Sequence, residues 1–312
     1  MTAADPDRRA VLAGLTGVLV SAVGGNLALL AGAAHNRAIA APARPDNSPC
    51  LAILDWALLE TVVALDVPVL LAAELRQYRR LPIGHDLPAD TLDMGLRGAP
   101  NLELLQAQSP DLILISGFYE AMRPQLERIA PVLSLATYTP DRPALDLARD
   151  AVTRLGALLD RETQAQELLS ALDHALDAGR QKLSDRPERP AIAVNLGDAR
   201  HLRVFGPESL VGGVLAGLGR PGAWEGPTSY SASAPVPVTA LARMPEADVI
   251  VVGPTPEDLR AALARNPVWQ ALPQVREGRI VWTGDHNHYG GVPTALRLAA
   301  EITDGLEGLG HD

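Results

Sequence analysis

A single cysteine, Cys50, among 312 residues rules out an intrachain disulfide. Its surroundings suit no metal motif, and no lipobox precedes it, so the thiol reads as an apolar structural residue. Aromatics are scarce: two Phe, four Trp and five Tyr. Positive charge is also short, with 27 Lys and Arg against 37 Asp and Glu, a formal net charge of −10. That balance argues against a nucleic-acid or anionic-membrane surface as partner. No GxSxG elbow and no HExxH pair occurs, so nothing recommends hydrolysis.

Long apolar runs are missing except near the start. Arg8-Arg9 precede an uncharged run from Ala10 to Ala34, followed by the small residues Ala38-Ile39-Ala40. This is the layout of a secretory signal peptide, and the paired arginines point to the twin-arginine route. The rival is an uncleaved membrane anchor. The glycines in the run, with Ser21 and Asn26, make it weakly apolar, which favours export with the signal cleaved.

Beyond a Pro-containing linker, apolar runs alternate with helical patterns. Leu51 to Leu54, Val67 to Ala72, Leu112 to Ile115 and Val132 to Leu135 read as strands, with helices between them, as in a parallel sheet covered on both faces. A helix is expected from about Arg161 to Leu183, long enough at 1.5 Å per residue to reach ~30–35 Å. It can be a strut between two α/β lobes or an ordinary surface helix. A second alternation runs from Ala191 to Leu306, with Ser209 as a helix N-cap.

Two motifs are decoys. Gly217 to Gly222 fits the dinucleotide pattern, but it follows a helix and contains Pro221, so it reads as a helix end and turn. Asp285-His286-Asn287-His288 could ligate metal, yet no partner cluster is visible, and a polar loop explains it better. A stronger candidate is Arg97, in a Gly/Pro loop, with Tyr119 just beyond the run Leu112 to Ile115. In open α/β folds the ligand site forms at the carboxyl ends of strands. A fixed cation with five donors would then share a cleft with a phenol. Trp56, Tyr119, Trp224, Tyr230 and Tyr289 all fall after strands or in Gly-rich loops, which points to an apolar, stacking-capable cleft.

The wording Gly95-Leu96-Arg97, Pro100-Asn101-Leu102-Glu103-Leu104-Leu105, Ser109-Pro110-Asp111 to Gly117 and Arg128-Ile129-Ala130-Pro131 resembles the periplasmic ferric-hydroxamate siderophore-binding proteins of ABC importers. So do Arg203 to Pro207, Ala223-Trp224-Glu225-Gly226 and Pro267 to Pro273. The similarity runs from about Leu51 to about Ala300. It implies an α/β fold of two lobes, each a mostly parallel sheet flanked by helices, joined by one long spanning helix. The expected division is 1–40 signal peptide and linker, 41–140 N-terminal ligand-binding lobe, 141–187 connecting segment and 188–312 C-terminal ligand-binding lobe.

By the same resemblance, Arg97 and Tyr119 match the residues that hydrogen-bond the iron-hydroxamate centre. Trp56, Leu196, Trp224, Ser233 and Tyr289 match other pocket positions. Leu81, Ile115, Ser231 and Asn287 stand where relatives carry tryptophan, so this pocket should be less aromatic. The implied ligand is a ferric hydroxamate siderophore whose Fe3+ is held by the siderophore, with no cofactor and no metal ligand from the protein. The implied partner is an inner-membrane ABC permease, and the protein itself is a monomer and not an enzyme. Two other readings stay open: cobalamin or haem binding with Tyr119 or His288 as axial ligand, and an exported α/β enzyme using His286 or His288 as base.

Overall fold

The computed structural model describes residues 49–81, 87–229 and 231–309. The export segment with its paired arginines, and Tyr230, lie outside these residues. The first lobe runs β1 (Leu51–Ile53), α1 (Trp56–Ala64), β2 (Val69–Ala72), α2 (Leu75–Tyr78), β3 (Leu92–Asp93), the small hairpin β4 (Gly95–Leu96) and β5 (Ala99–Pro100), α3 (Leu102–Gln108), β6 (Leu112–Ile115), a 3-10 turn (Gly117–Met122), α4 (Arg123–Leu126) and β7 (Val132–Ser134). Its main sheet has the order β3-β2-β1-β6-β7, all parallel. The central strands are apolar throughout because both faces are covered: every residue of β1 is fully buried.

Two helices follow, α5 (Ala144–Leu158) and α6 (Glu162–Lys182). The second lobe then runs β8 (Ala191–Leu196), β9 (His201–Phe205), α7 (Leu210–Gly217), β10 (Ser233–Pro237), β11 (Asp248–Gly253), α8 (Glu257–Ala264), α9 (Pro267–Ala271), α10 (Pro273–Arg276), β12 (Ile280–Asp285) and α11 (Val292–Gly308). Its sheet has the order β10-β9-β8-β11-β12. Here β8, β11 and β12 are parallel, but β9 is antiparallel to both neighbours. The strand β10 was not foreseen. Pro235 and Pro237 lack the N–H a central strand needs, and β10 accordingly lies at the sheet edge.

Local signals place several ends. Asn101 caps α3 by accepting from the Leu104 N–H, and Ser209 caps α7 by accepting from the Gly212 N–H. The decoy Gly217 to Gly222 is the end of α7 and its turn, with Gly219 at φ 72°.

The chain crosses from the first sheet to the second once, through α5 and α6. The 21 residues of α6 give a length of about 30 Å. Its seam Ala165, Leu168, Leu172, Leu176 and Gly179 is buried, and it packs on α5 and α11. Helix α11 also meets α1 of the first lobe. One continuous core therefore runs from Leu114 of β6 through Leu59, Val152, Leu172, Val214 and Leu298 to Ile250 of β11. Separate smaller cores fill the outer faces, around Ile113 and Leu126 in lobe one and around Val249 and Trp269 in lobe two.

Candidate functional site

The carboxyl ends of β1, β2, β6 and β7, the tip of the β4–β5 hairpin and the segments flanking β10 and β12 surround a cleft of about 460 Å³. It is lined by Asp55, Trp56, Glu74, Arg97, Gly98, Phe118, Tyr119, Thr137, Ser231, Asn287 and Tyr289. The volume lies within the range of small-molecule sites.

Arg97 and Gly98 form the two-residue tip of the hairpin, with Leu96 opposite Ala99. The Arg97 guanidinium lies 4.2 Å from the centre of the Trp56 ring, a cation–π contact. Its Nε donates to Glu74 at 2.8 Å. The indole is fixed in turn, since Trp56 Nε1 donates to the Ala73 carbonyl at 2.9 Å. Glu74 adopts a left-handed conformation, φ 55°, which costs a non-glycine residue of order 1–3 kcal/mol and is held by its surroundings. Here its N–H donates to the Gly95 carbonyl at 2.8 Å while its carboxylate receives Arg97. The strain thus orients the hairpin tip.

Tyr119 lines the same cleft as Arg97, whose charge acts on its phenol. Burial, helped by the Asp55 carboxylate, pushes the phenol up to about 12, against the opposing pull of Arg97. At neutral pH it is therefore a hydrogen-bond donor. Asp55 caps α1, accepting from the Ala57 N–H at 2.8 Å and from Ser116 Oγ at 2.6 Å. Burial raises its pKa in spite of those bonds and of the Arg97 charge. The first-lobe wall thus offers one guanidinium, already answered by Glu74, and one neutral phenol.

The facing lobe lines the cleft with Ser231, Asn287 and Tyr289, and rings packed behind the surface hold Tyr289 in place. Tyr289 makes edge contacts with Tyr138 at 5.5 Å and with Phe205 at 6.4 Å, and Phe118 lies 6.4 Å from Tyr138. Tyr138 Oη donates to the His288 carbonyl at 3.3 Å, tying the two lobes at the cleft floor.

Of the sequence-predicted residues, Arg97, Tyr119, Trp56 and Tyr289 come together in the cleft. Three do not line it. Leu196 is buried in the core of lobe two, because Ile192, Val194 and Leu196 share one strand face and that face packs inward. Trp224 packs on the same core with Gly226 against its ring, plugging the lobe edge. Ser233 is buried behind the wall, 3.3 Å from Ser231 Oγ. Sequence reasoning missed Asp55, Glu74, Phe118 and Thr137, and named Ser231 and Asn287 only as replacements for tryptophan.

The histidines sit outside the lining. In the turn after β12, Asn287 and Tyr289 line the cleft, whereas His286 and His288 do not. His286 Nε2 pairs with Glu301 at 2.9 Å. His288 lies against Phe205, and burial lowers its pKa to about 4. Among the described residues, no group of three or more His, Cys, Asp or Glu could hold a metal ion.

Known proteins resemble this chain in sequence and fold. The periplasmic binding protein family matches residues 51–286. The iron(3+)-hydroxamate-binding protein FhuD of Escherichia coli is 30% identical over 273 residues, 88% of this chain and 91% of that protein. The crystal structure of the siderophore-binding protein FhuD from Vibrio cholerae with bound Fe3+–Desferal has a TM-score of 0.78 and 27% identity, covering 84% of this chain and 99% of that one. The petrobactin-binding protein YclQ from Bacillus subtilis, at 18% identity and a TM-score of 0.68 over 84% of this chain and 93% of that one, supports the fold alone. Two α/β sheets meeting at one cleft, matched across most of the chain, make it a member of the periplasmic binding protein family, whose members are substrate-binding proteins of transport.

Proposed function

We propose that the chain is an exported, periplasmic binding protein that captures a ferric hydroxamate siderophore in the interlobe cleft and delivers it to an inner-membrane ABC permease. It acts as a monomer, binds no nucleic acid and catalyses no reaction. The observation that carries this reading is the pairing of Arg97, neutralised by Glu74 and stacked on Trp56, with the protonated phenol of Tyr119.

A ferric tris-hydroxamate is neutral overall, and its metal-bound oxygens accept hydrogen bonds. One guanidinium and one phenol satisfy such oxygens. A ferric tris-catecholate carries about three negative charges and would call for several cations; this cleft has one cation beside two carboxyl groups. The iron stays with its chelator, so the protein supplies no metal ligand. Phe118 and Tyr289, one from each lobe, offer apolar ring surface to the aliphatic arms of the ligand. The names of the Escherichia coli and Vibrio cholerae relatives support the same ligand class.

The test is a fluorescence titration of the mature chain against ferric hydroxamates, a ferric catecholate, haem and cobalamin. Trp56 lines the cleft, so ferric hydroxamates should quench emission saturably, and the catecholate should bind far more weakly. Tight binding of the catecholate or of haem, with no response to any hydroxamate, would overturn the reading.

A further inference from the structure

At the pole of lobe two opposite the cleft, the amino ends of β8, β11 and β12 surround a second cavity of about 310 Å³. It is lined by Arg186, Arg189, Arg220 and Arg279, with Asp248, Glu277, Pro187, Leu306 and Leu309. Four guanidinium groups against two carboxylates leave an excess of two positive charges. That is a notable concentration in a chain of net charge −10.

The arginines are built in. Arg220 is 4% exposed and Arg279 is 6% exposed. Arg279 spends Nε on Glu277 at 2.9 Å and both terminal nitrogens on the Ala247 and Pro245 carbonyls at 2.6 Å. Arg220 donates to the Pro187 carbonyl at 2.6 Å and to the Leu183 carbonyl at 2.8 Å, yet its buried Nε has no partner. Arg186 donates to the Leu309 carbonyl. Among the described residues, Arg189 has only a long contact, 3.9 Å, to Glu246. Asp248 lies among the four, but one of its oxygens is also unpartnered. Burial raises its pKa against the pull of all four arginines, so it is a reluctant counter-ion. Arg220 thus keeps a buried donor for an acceptor oxygen, beside two other guanidinium groups with donors to spare, and the excess of positive charge favours an anionic one.

We propose that this basal pocket binds a small multivalent oxyanion, of the phosphate or polycarboxylate class, seated between Arg186, Arg189 and Arg220. The occupant bridges the link after α6, the turn after α7 and the start of β8, and so braces the end of the spanning helix away from the cleft.

The test uses iron-free mature protein at constant ionic strength set with chloride. Inorganic phosphate and citrate are titrated separately, with melting temperature and equilibrium dialysis as readouts. At about ten times the dissociation constant, linkage predicts a rise of roughly 3–5 °C, saturating at one ion per chain. Arg189→Gln, at a surface-accessible position with no close ion pair, should fold as the parent does, keep its ferric hydroxamate affinity and lose at least tenfold in anion affinity. A response to either anion that this variant abolishes supports the pocket, and the better anion identifies the class. An equal rise in parent and variant would be general salt exclusion and would overturn it, as would dialysis showing no bound anion in the parent.

Discussion

Arg97 does three things at once: it covers Trp56, answers Glu74 and points donors into the cleft beside Tyr119. Its removal should therefore be felt in both affinity and stability. Losing a charge-assisted donor costs about 1.5–3 kcal/mol, so Arg97→Ala should weaken ferric hydroxamate binding roughly 10- to 150-fold. Tyr119→Phe loses a neutral donor, about 0.5–1.5 kcal/mol, and should weaken it about 2- to 12-fold. Arg97→Lys should rescue only in part, because the planar fork that stacks on the indole and reaches Glu74 is gone. Arg97→Ala also strands the Glu74 carboxylate, so Arg97→Ala/Glu74→Gln should recover melting temperature without recovering affinity. Calorimetry of all four variants checks this, and a folded Arg97→Ala that binds within twofold of the parent would remove the central residue of the proposal. Arg97 and Tyr119 were legible in the sequence because each sits where a strand or hairpin ends. Glu74 was not, since its role rests on a left-handed backbone and on a partner 23 positions away. Resemblance assigns a position but not a direction: the face of β8 turns Leu196 into the core of lobe two, and packing on that core holds Trp224 at the lobe edge.

At the scale of elements, the second wall of the cleft hangs on a carboxylate from the first lobe. Helix α11 has no side-chain cap of its own at Gly291. Instead Glu60 of α1 accepts from the Gly291 N–H, from the Thr294 N–H at 3.4 Å and from Thr294 Oγ1 at 2.8 Å. A Cβ on Gly290 would lie 2.6 Å from Glu60 Oε1, which explains the glycine there. This cap fixes the segment carrying Asn287 and Tyr289. Glu60 is fully buried, and burial raises its pKa to about 7 despite those bonds, with Arg297 opposing the rise. A carboxyl whose folded pKa lies above its unfolded value stabilises the fold when protonated, and that contribution falls as pH rises from about 4.5 to about 7. The shift corresponds to about 3 kcal/mol. Glu60→Gln keeps an acceptor but cannot ionise. Urea unfolding between pH 5 and 8 should show the parent losing more stability than the variant, by up to about 3 kcal/mol; parallel pH profiles would show that Glu60 stays ionised throughout. None of this was readable beforehand, because a lone Glu in an apolar helix reveals its partner only when two distant segments meet. The strands and helices themselves were readable from their apolar runs and caps, and the edge strand β10 was not, because its prolines hide it.

For the molecule as a whole, what matters is how the lobes are joined. The main sheet of lobe one takes β1, β2, β3, β6 and β7 and that of lobe two takes β8 to β12, so the backbone crosses between the sheets once. Hinged closure needs a few residues free to absorb a large change in backbone angles. Here the crossing is made of helices α5 and α6, and α11 packs on both of them and on α1. Apolar side chains from both lobes share one core through that layer, so a large rotation would open buried surface at roughly 25 cal/mol per Å². The Glu60 cap and the Tyr138 bond to the His288 carbonyl add polar ties at the cleft floor. Ligand capture should therefore proceed with rotations of only a few degrees and local side-chain movement. Small-angle scattering of the mature chain, free and loaded with a ferric hydroxamate, measures this directly. A compact body of this length has a radius of gyration near 18 Å by size scaling, about the same in both states if the helical layer holds. A change below about 0.5 Å fits a rigid strut. A contraction of 1 Å or more, on the order of a hinge closure, would mean that the layer slides and that the shared core is weaker than its packing implies.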